Sequence, residues 1–433
     1  MRHDQLPYGG GAMPDTWAVV PLRYLATLTN GYVFNSSDRS DEGTPIIRIE
    51  NLNGSRNFNR SSLSLPDKYS VEAGDLLFSW SGNPGTSFGP YLWTEPGKHF
   101  LNQHIFKVGV HGCNPRWLYW ALKAATHWIE RHLTSGMIGM VHVTKEDLAG
   151  VPIPVPPREA QIRIADFLDS ETARIDQIRS LTQTQMELVR ERFNEQMRSL
   201  TTDGAEYGIE AKAPWMPRIN RQWRLSRISY EFTTSSGTTP TSGRADYFDG
   251  PHPWVNSSDI KDAPILCAAK HLSDAALADF SALKVCRTGS LVVALYGQGA
   301  TKGRVGVLQI DAYLNQACCA LASLGRVSEE FAYYWFRAHK EGIVTQAVGA
   351  GQPNLSQELI RQLPLPVPDA ETQKRIVAEL SEAEQQLRVH SSLLVRRDEL
   401  LAERRQALIT AAVTGQFDVT TASGRNVTEG VSA

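Results

Sequence analysis

The chain has 433 residues, of which 42% are hydrophobic and 21% charged, and its formal net charge is −2. This composition is typical of a globular protein with two or three domains, and it excludes nucleic-acid binding through overall basicity. Five cysteines without CxxC spacing argue against a disulfide framework or a zinc ribbon. Apolar runs such as residues 291–296 are too short to cross a membrane, and no signal-peptide core is present, so we expect a cytoplasmic protein.

The first 151 residues read as short apolar strands separated by polar turns. WAVVPL (17–22), TPIIRIENL (44–52) and GDLLFSWSGNPG (74–85) have the alternation or the apolar runs of strands, each followed by turn residues. FLNQH (100–104) follows, and then RWLYW (116–120), whose apolar spacing suits a short helix. This order predicts an α+β module over residues 1–151, which ends at the proline-rich stretch PIPVPP (152–157).

The same elements recur in the second half of the chain, in the same order. HPWVNSSDI (252–260), GSLVVALYGQGA (289–300), YLNQA (313–317) and FAYYW (331–335) repeat the first series, and PLPVP (364–368) closes it. Residues 152–164 and 364–376 are identical at eight of thirteen positions, at an offset of 212 residues. Matches that keep their order indicate an internal duplication, with a second module over residues 205–362.

A proline-free segment follows each proline-rich stretch, at residues 159–200 and 371–414. Apolar residues recur every seven positions, which predicts two long helices that pair as an antiparallel coiled coil. The alternative is that each helix packs only on its own module. We assign residues 152–204 and 363–416 to hinge plus helix, and 417–433 to a flexible tail. The main heptad column is Leu168, Ile175, Thr182 and Val189, then Leu380, Leu387, Leu394, Leu401 and Leu408; a companion column is Leu181 and Leu188, then Leu393, Leu400 and Ala407.

This arrangement resembles the specificity subunit of type I restriction–modification systems over essentially the whole chain. The most specific signal is the hinge followed by E-x-Q-x-x-I, supported by the G-D-L-L and L-N-Q elements; it falls on Glu159, Gln161 and Ile164, and on Glu371, Gln373 and Ile376. The resemblance implies an α+β fold with two tandem target-recognition domains and two long helices that form an antiparallel coiled coil, a pseudo-two-fold internal repeat.

The resemblance also implies a non-catalytic subunit that reads a bipartite double-stranded DNA target. Its expected partners are DNA, two methyltransferase subunits and the restriction subunits, with no membrane. No cofactor is expected on this chain: S-adenosylmethionine belongs to the methyltransferase, and ATP and Mg to the restriction subunit. The paired helices would set the distance between the two half-sites. Their outer faces, with Phe193 and Met197, would dock the methyltransferase subunits.

Candidate DNA-contacting residues lie in polar loops near strand ends. Arginine can bind guanine and asparagine can bind adenine through two hydrogen bonds each, and aromatic, amide and basic groups surround flexible glycines in two of these loops. A residue of this kind, taken singly, is more often an ordinary surface residue than a DNA contact. The candidates are Arg48, Asn51, Asn53, Arg56, Trp80 and Asn83 in the first module, and Asn256, Ser257, Tyr296, Gln298, Lys302 and Arg304 in the second.

The sequence contains no complete catalytic motif, and we predict neither catalytic residues nor a metal site. The glycine loop at residues 297–303 is not a P-loop, because Gly303 follows Lys302 where serine or threonine is required. The histidines have no metal-ligand spacing. Two functions therefore stand: a DNA-reading adaptor that positions separate enzymes, and, as the alternative, a two-domain protein-binding scaffold with a coiled-coil spacer.

Overall fold

The computed structural model describes residue 6 and residues 13–135, 141–202, 208–241, 243–297, 299–347 and 354–419. The chain divides into two compact units: unit 1 comprises Met1–Thr182 with Val395–Ala433, and unit 2 comprises Gln183–Leu394. The divisions fall within the two longest helices and not at the proline-rich stretches where the predicted domains end. The reason is that each long helix contributes side chains to the cores of both units.

Unit 1 is built from four small groups of strands. The main antiparallel sheet has the order β2-β10-β6-β8, and a second sheet has the order β4-β3-β9-β5 with β3 and β9 parallel. β11-β12-β7 form a third sheet, and β1 pairs with β13. The strands are β1 Ala18–Pro21, β2 Ala26–Asn30, β3 Thr44–Ile47, β4 Asn59–Ser61, β5 Ser70–Val71, β6 Leu76–Ser79, β7 Ser81–Gly82, β8 Gly89–Leu92, β9 His99–Leu101, β10 Ile105–Val110, β11 Thr134–Ser135, β12 Val141–Val143 and β13 Pro152–Val155.

The helices of unit 1 are α1 Ile49–Leu52, α2 Pro115–His132, α3 Lys145–Gly150 and the first part of α4 Arg158–Thr202. α2 begins where the Asn114 side chain accepts hydrogen bonds from the backbone N–H groups of Arg116 and Trp117, with a proline at the first helical position. Its buried face carries Trp117 and packs in one hydrophobic core with the main sheet. The same core contains Leu168 of α4, so helix and module fold as one body.

Unit 2 repeats this plan. Its main sheet is β17-β23-β20-β21, its second is β19-β18-β22 with β18 and β22 parallel, and β16 pairs with β24; β14 and β15 form an additional pair. The strands are β14 Ile209–Ala213, β15 Met216–Ile219, β16 Arg224–Arg227, β17 Phe232–Ser236, β18 Phe248–Val255, β19 Lys270–Leu272, β20 Leu291–Ala294, β21 Val305–Val307, β22 Tyr313–Leu314, β23 Cys318–Ser323 and β24 Pro364–Val367; the helices are α5 Ile228–Glu231, α6 Asp274–Asp279, α7 Glu329–Val344, α8 Gln357–Gln362 and α9 Ala370–Val413.

The proline-rich stretches are edge strands and not free hinges. β13 pairs with β1 from Ala18↔Val155 to Pro21↔Pro152, and β24 pairs with β16 in the equivalent register. Proline is tolerated here because each pair has only two strands, which leaves one side of the proline-containing strand without a ladder partner. The exit from each module is therefore held by strand pairing as well as by the proline ring. The predicted α+β fold with an internal repeat is confirmed.

The glutamine of the repeated E-x-Q-x-x-I motif is buried in both units and closes the hinge. Gln161 accepts a hydrogen bond from the Asn114 N–H (2.8 Å) and donates to the Pro156 carbonyl (2.9 Å). Gln373 accepts from the Ser328 N–H (2.9 Å) and donates to the Arg326 and Pro368 carbonyls (both 2.9 Å). One side chain thus joins the end of the proline-rich strand to the start of α2 or α7.

The long helices run antiparallel within each unit. In unit 1, Asp176 and Arg179 of α4 bind Arg405 and Asp398 of α9, respectively. In unit 2, Gln185 contacts His390 and Gln196 contacts Glu379, so residue numbers rise on one helix as they fall on the other. The main heptad column lies in this helix interface: Leu168, Thr182, Leu380 and Leu408 are at most 1% exposed.

The companion column was predicted wrongly. Leu181, Leu188, Leu393 and Leu400 are 47–65% exposed, because each precedes a main-column residue and is rotated by about 100° from it on a helix of 3.6 residues per turn. The second column of the helix interface instead lies three or four residues from the first. It is largely polar: Arg179, Asp398 and Arg405 form ion pairs across the interface, and Thr172 and Glu384 are buried at the equivalent heptad positions.

The segment after α9 belongs partly to the core of unit 1. Phe417 packs against Phe167 with ring centroids 5.4 Å apart, and Val419 also contacts the core. Gly415 has φ +75° and lies against Pro14 and Trp17. The flexible tail predicted to begin at residue 417 is corrected for residues 417–419, and residues 420–433 lie outside the described residues. No helix within the described ranges is long and apolar enough to cross a membrane.

Candidate nucleic-acid interface

The loop after β3 in unit 1 contains four of the predicted DNA-contacting residues. Asn51 is only 6% exposed, and its amide is used inside the loop. Its Oδ1 accepts from the Arg48 N–H (2.9 Å), and its Nδ2 donates to the carbonyls of Ser55 (2.9 Å) and Asn57 (3.1 Å). Asn51 therefore holds the loop in shape and does not present its amide to a ligand, which corrects the prediction for this residue.

The other three side chains of this loop remain at the surface. Arg48 is partly exposed and lies 3.3 Å from the Glu50 carboxylate, a weak pair in water that DNA can replace. Asn53 is exposed, and its Oδ1 accepts from the Tyr91 hydroxyl at 3.4 Å. Arg56 is exposed. A rigid loop with two arginines and one asparagine at its surface has the chemistry to bind base edges and phosphates.

The segment after β6 contains Trp80 and Asn83, and the two side chains have different surroundings. The Trp80 Nε1 donates to the Gln103 carbonyl (2.9 Å), and its ring stacks on Phe106 at 5.8 Å. Trp80 is therefore half-buried against the core with its ring nitrogen bonded within the fold, and its contact with DNA stays a prediction. Asn83 is exposed, and its carbonyl accepts from the N–H groups of residues 86–88, so its side chain stands on a tight, hydrogen-bonded turn.

In unit 2, Asn256 is part of the protein's own hydrogen-bond network. Its Nδ2 donates to the Trp254 carbonyl (3.0 Å), and its Oδ1 accepts from Asn315 (2.9 Å). This corrects the prediction for Asn256. Its partner, Asn315, is the asparagine of the repeated L-N-Q element, so that element closes a turn. Ser257 is half-buried, and its hydroxyl lies close to the glycine loop. A Cβ atom built on Gly297 would be 3.1 Å from the Ser257 hydroxyl oxygen.

The glycine loop of unit 2 is anchored on α7. Lys340 of α7 donates a hydrogen bond to the Asp262 carboxylate (3.2 Å). The same carboxylate accepts from the N–H of Val305, which follows the glycine loop (3.0 Å). Tyr296 is half-buried against the core, and burial raises the pKa of its hydroxyl, so this tyrosine is held within the fold. Lys302 and Arg304 are half-buried on the same loop. The predicted contact Gln298 lies outside the described residues.

Unit 1 also has a shallow polar cavity that the sequence analysis missed. Its volume is about 300 Å³, and it is lined by Arg39, Ser40, Asp41, Phe58, Asn59 and Arg60. An isolated antiparallel bridge between Ser40 and Arg60 places both arginines in the lining of this cavity, although 21 positions separate them in the chain. Residue spacing in the sequence does not predict this pair of arginines. The sequence shows only that each arginine lies among small polar residues.

The described residues offer little for catalysis. In these ranges no group of three or more His, Cys, Asp or Glu side chains lies together as metal ligands would. Burial raises the pKa of the Cys113 thiol to about 11 and that of Cys319 to about 12, so both thiols stay protonated and unreactive near neutral pH. The exposed groups on rigid loops are suited to recognition.

The family described as type I restriction modification DNA specificity domain matches residues 14–185 and again residues 220–394. This chain belongs to that family. The two matches begin near β1 and β16 and end within α4 and α9, so each covers one module, its hinge and part of its long helix. The predicted role in DNA sequence recognition, and not in catalysis, is confirmed by this family membership.

Two curated relatives show how far the similarity extends. The specificity subunit of the type I restriction enzyme EcoBI from Escherichia coli is 29% identical over 167 residues, which cover 37% of this chain and 34% of that relative. A putative specificity subunit, MjaX, from Methanocaldococcus jannaschii is 20% identical over 431 residues, 95% of this chain and 96% of the relative. The second match shows that the whole domain order is shared.

Solved structures show the same fold. One of them comes from work on the complex assembly and conformational transition of the type I R-M system. Its sequence is 17% identical to this chain, and the TM-score is 0.72. The matched region covers 94% of this chain and all of the solved chain. The HsdS subunit from Thermoanaerobacter tengcongensis is also 17% identical, with a TM-score of 0.52, and covers 95% of this chain and all of the subunit. At this identity the likeness establishes the fold.

Proposed function

We propose that this chain is the specificity subunit of a type I restriction–modification complex that reads a bipartite double-stranded DNA target, with one half-site for each unit. The observation that carries the proposal is the duplication itself. Each copy of the DNA specificity domain has a four-stranded main sheet, a strand pair that contains the proline-rich strand and a glutamine-closed hinge, followed by one long helix. Two readers in one chain suit a target with two separated halves.

The exposed loop residues support reading of bases. In unit 1, Arg48, Asn53, Arg56 and Asn83 remain at the surface, and in unit 2 Ser257, Lys302 and Arg304 are at least partly accessible. Their loops are fixed by buried groups such as Asn51, which limits the conformational entropy lost on binding. The net charge of −2 makes local arginines and lysines, and not overall charge, the source of DNA affinity.

The exposed leucines support docking of two methyltransferase subunits on the long helices. Phe193 and Met197, the predicted docking residues, are 5% and 2% exposed within the core of unit 2, and that prediction is corrected. Leu181 and Leu400 in unit 1, and Leu188 and Leu393 in unit 2, take their place, because apolar side chains this exposed suit a helical partner. The repeat offers one such face per unit.

The remaining parts of the complex follow from the same proposal. Restriction subunits would join the assembly, S-adenosylmethionine would be bound by the methyltransferase, and ATP and Mg by the restriction subunit. A cytoplasmic location suits a protein that acts on cellular DNA. Each of these statements rests on the family and on no contact in this chain.

Selection of bound duplexes from a random library tests the proposal. The complex of this chain with its methyltransferase should retain duplexes with two short motifs at a fixed distance, and titration should give two methyltransferase subunits per chain. Retention without sequence preference would favour the protein-binding scaffold, and a stoichiometry of one would contradict the duplicated docking face. A variant with Leu181, Leu188, Leu393 and Leu400 changed to serine should fold but lose the methyltransferase.

A further inference from the structure

Lys123 of α2 is a half-buried cation that forms no ion pair with any described residue of unit 1. Its Nζ lies 5.3 Å from the ring centroid of Tyr91 and 6.0 Å from that of Tyr119. Among the residues that the structure describes, no carboxylate oxygen lies within ion-pair distance of this nitrogen. Contacts with aromatic faces stabilise an ammonium group, but they leave it able to pair with an anion.

The charges around Lys123 make this site more positive. Arg405 of α9 lies over the Trp120 ring at 5.9 Å and binds Asp176 through two contacts of 2.9 and 3.2 Å, so that carboxylate is already engaged. Burial and then the charge of Arg405 lower the pKa of Lys123, and Glu130 opposes this with a smaller effect. The Glu130 carboxylate also accepts from the Gly85 N–H at 2.8 Å.

The second copy of the module shows which group is missing. Arg337 lies nine residues after its helix cap Ser328, as Lys123 does after Asn114. Arg337 binds the Glu384 carboxylate at 3.0 Å, and Arg388 and the Tyr334 hydroxyl bind the same carboxylate at 3.1 and 3.2 Å.

Glu384 lies eleven residues after Gln373, and its counterpart eleven residues after Gln161 is Thr172. Thr172 is neutral, and its hydroxyl donates to the Leu168 carbonyl at 2.6 Å. Arg337 of unit 2 therefore pairs with an internal carboxylate, which it shares with Arg388, whereas the equivalent position in unit 1 supplies no charge. The comparison indicates that unit 1 leaves its cation for an anion from another molecule.

The surroundings of Tyr91 indicate which anion binds. The Tyr91 hydroxyl donates to the Thr86 carbonyl (3.0 Å) and lies 3.4 Å from the Asn53 side chain. It therefore touches both loops of unit 1 that carry exposed candidates for DNA contact. We propose that Lys123, assisted by Arg405, binds one backbone phosphate of the DNA half-site read by unit 1. A lysine suits this role as a point charge for phosphate, and the inference rests on the proposed function.

The salt dependence of DNA binding tests the site. The complex of the full chain with its methyltransferase is compared as wild type, K123A, K123R and K145A, where Lys145 is an exposed lysine at the start of α3 in the same unit. For K123A, the slope of log Kobs against log salt should decrease in magnitude by about 0.9, the value for one phosphate contact. Affinity should fall equally for matched and mismatched duplexes, whereas K123R and K145A should keep the wild-type slope.

Three outcomes would overturn the phosphate site. An unchanged slope for K123A with sequence-specific binding intact is the first. The second is weaker assembly of K123A with the methyltransferase at an unchanged slope, which would assign the site to a protein carboxylate. The third is a thermal midpoint for K123M that falls by more than the loss of two aromatic contacts explains, because that would show that the cation has a partner within the protein. If the wild type itself lacks sequence preference, the proposed function fails and not this site alone.

Discussion

Arg179 of α4 and Asp398 of α9 form an ion pair with two contacts across the helix interface of unit 1, Nε to Oδ1 at 2.8 Å and Nη2 to Oδ2 at 3.1 Å. Arg397 adds a second polar contact, since its guanidinium donates to the Thr182 hydroxyl at 2.6 and 3.1 Å. Polar residues in a helix interface weaken it relative to leucine but favour a single register, because a shift would leave them unpaired.

The ion pair makes a pH-dependent contribution to stability. Its hydrogen bonds with Arg179 lower the pKa of Asp398, so the stabilisation is complete above the unfolded pKa of about 3.9 and is lost as the pH falls through the folded pKa. We expect D398N to lower the free energy of unfolding by about 0.5–1 kcal/mol at pH 7, since both side chains are partly exposed. Urea unfolding should show this difference shrinking below about pH 4. E191Q, an exposed change on α4, should show no such trend.

The buried glutamines provide a second prediction. Q161L leaves the Asn114 N–H and the Pro156 carbonyl without their partner, and the free energy of unfolding should fall by about 1–3 kcal/mol. Q373L should cost a similar amount, and the two losses should add because the residues share no partners. E159Q and E371Q, in the exposed first turns, should each change stability by less than about 0.5 kcal/mol in the same urea titration. A loss that small for Q161L would refute the closing role.

The two units should read their half-sites independently. N53A together with R56A should relax sequence preference in one half-site only, with a loss of about 1–3 kcal/mol of discrimination for each base contact. R304A should affect the other half-site. Selection from randomised duplexes measures both halves at once. N51A serves as the contrast, because it removes loop hydrogen bonds and should lower stability as well. Simultaneous decay of both halves would contradict separate readers.

The length of the paired helices should set the spacer between half-sites. Insertion of seven residues after Thr182 and seven more after Leu394 keeps the heptad register of α4 and α9. It adds about 10 Å of helix, or about three base pairs at roughly 3.4 Å each. Mapping of methylated adenines should show a spacer about three pairs longer with both motifs unchanged. Insertion after Thr182 alone mismatches the helix interface and should reduce methylation. An unchanged spacer in the double insertion would exclude this role.

The repeat itself was predictable, because strand order, hinge and heptads all have periodic or local signatures. The column Leu380, Leu394 and Leu408 is apolar at every heptad and could be assigned to the helix interface from the sequence. The other column could not, since it is polar at Glu384, Ser391 and Asp398 while exposed leucines lie one position before the first column. A partner surface and a helix interface have the same apolar pattern in a sequence.

Individual contact residues were less predictable, for a different reason. Asn51 and Asn53 have the same chemistry two positions apart, yet the first is buried by bonds to Ser55 and Asn57 and the second is exposed. Only the fold of the loop decides which amide is used internally. Lys123 was not predicted as a functional residue, because no sequence motif contains it. The difference from Arg337, which pairs with Glu384, becomes evident only when the two folded units are compared.

The composition of unit 1 from two distant parts of the chain has a consequence for synthesis. Leu408, Ile409, Ala412 and Val413 complete the core around Leu168, yet the whole of unit 2 is translated before them. Unit 2 can therefore fold while the chain is still on the ribosome. Unit 1 must wait with part of its apolar surface uncovered, so a released chain that ends at residue 394 would contain all of unit 2 but would lack Leu408, Ile409, Ala412 and Val413 from the core of unit 1.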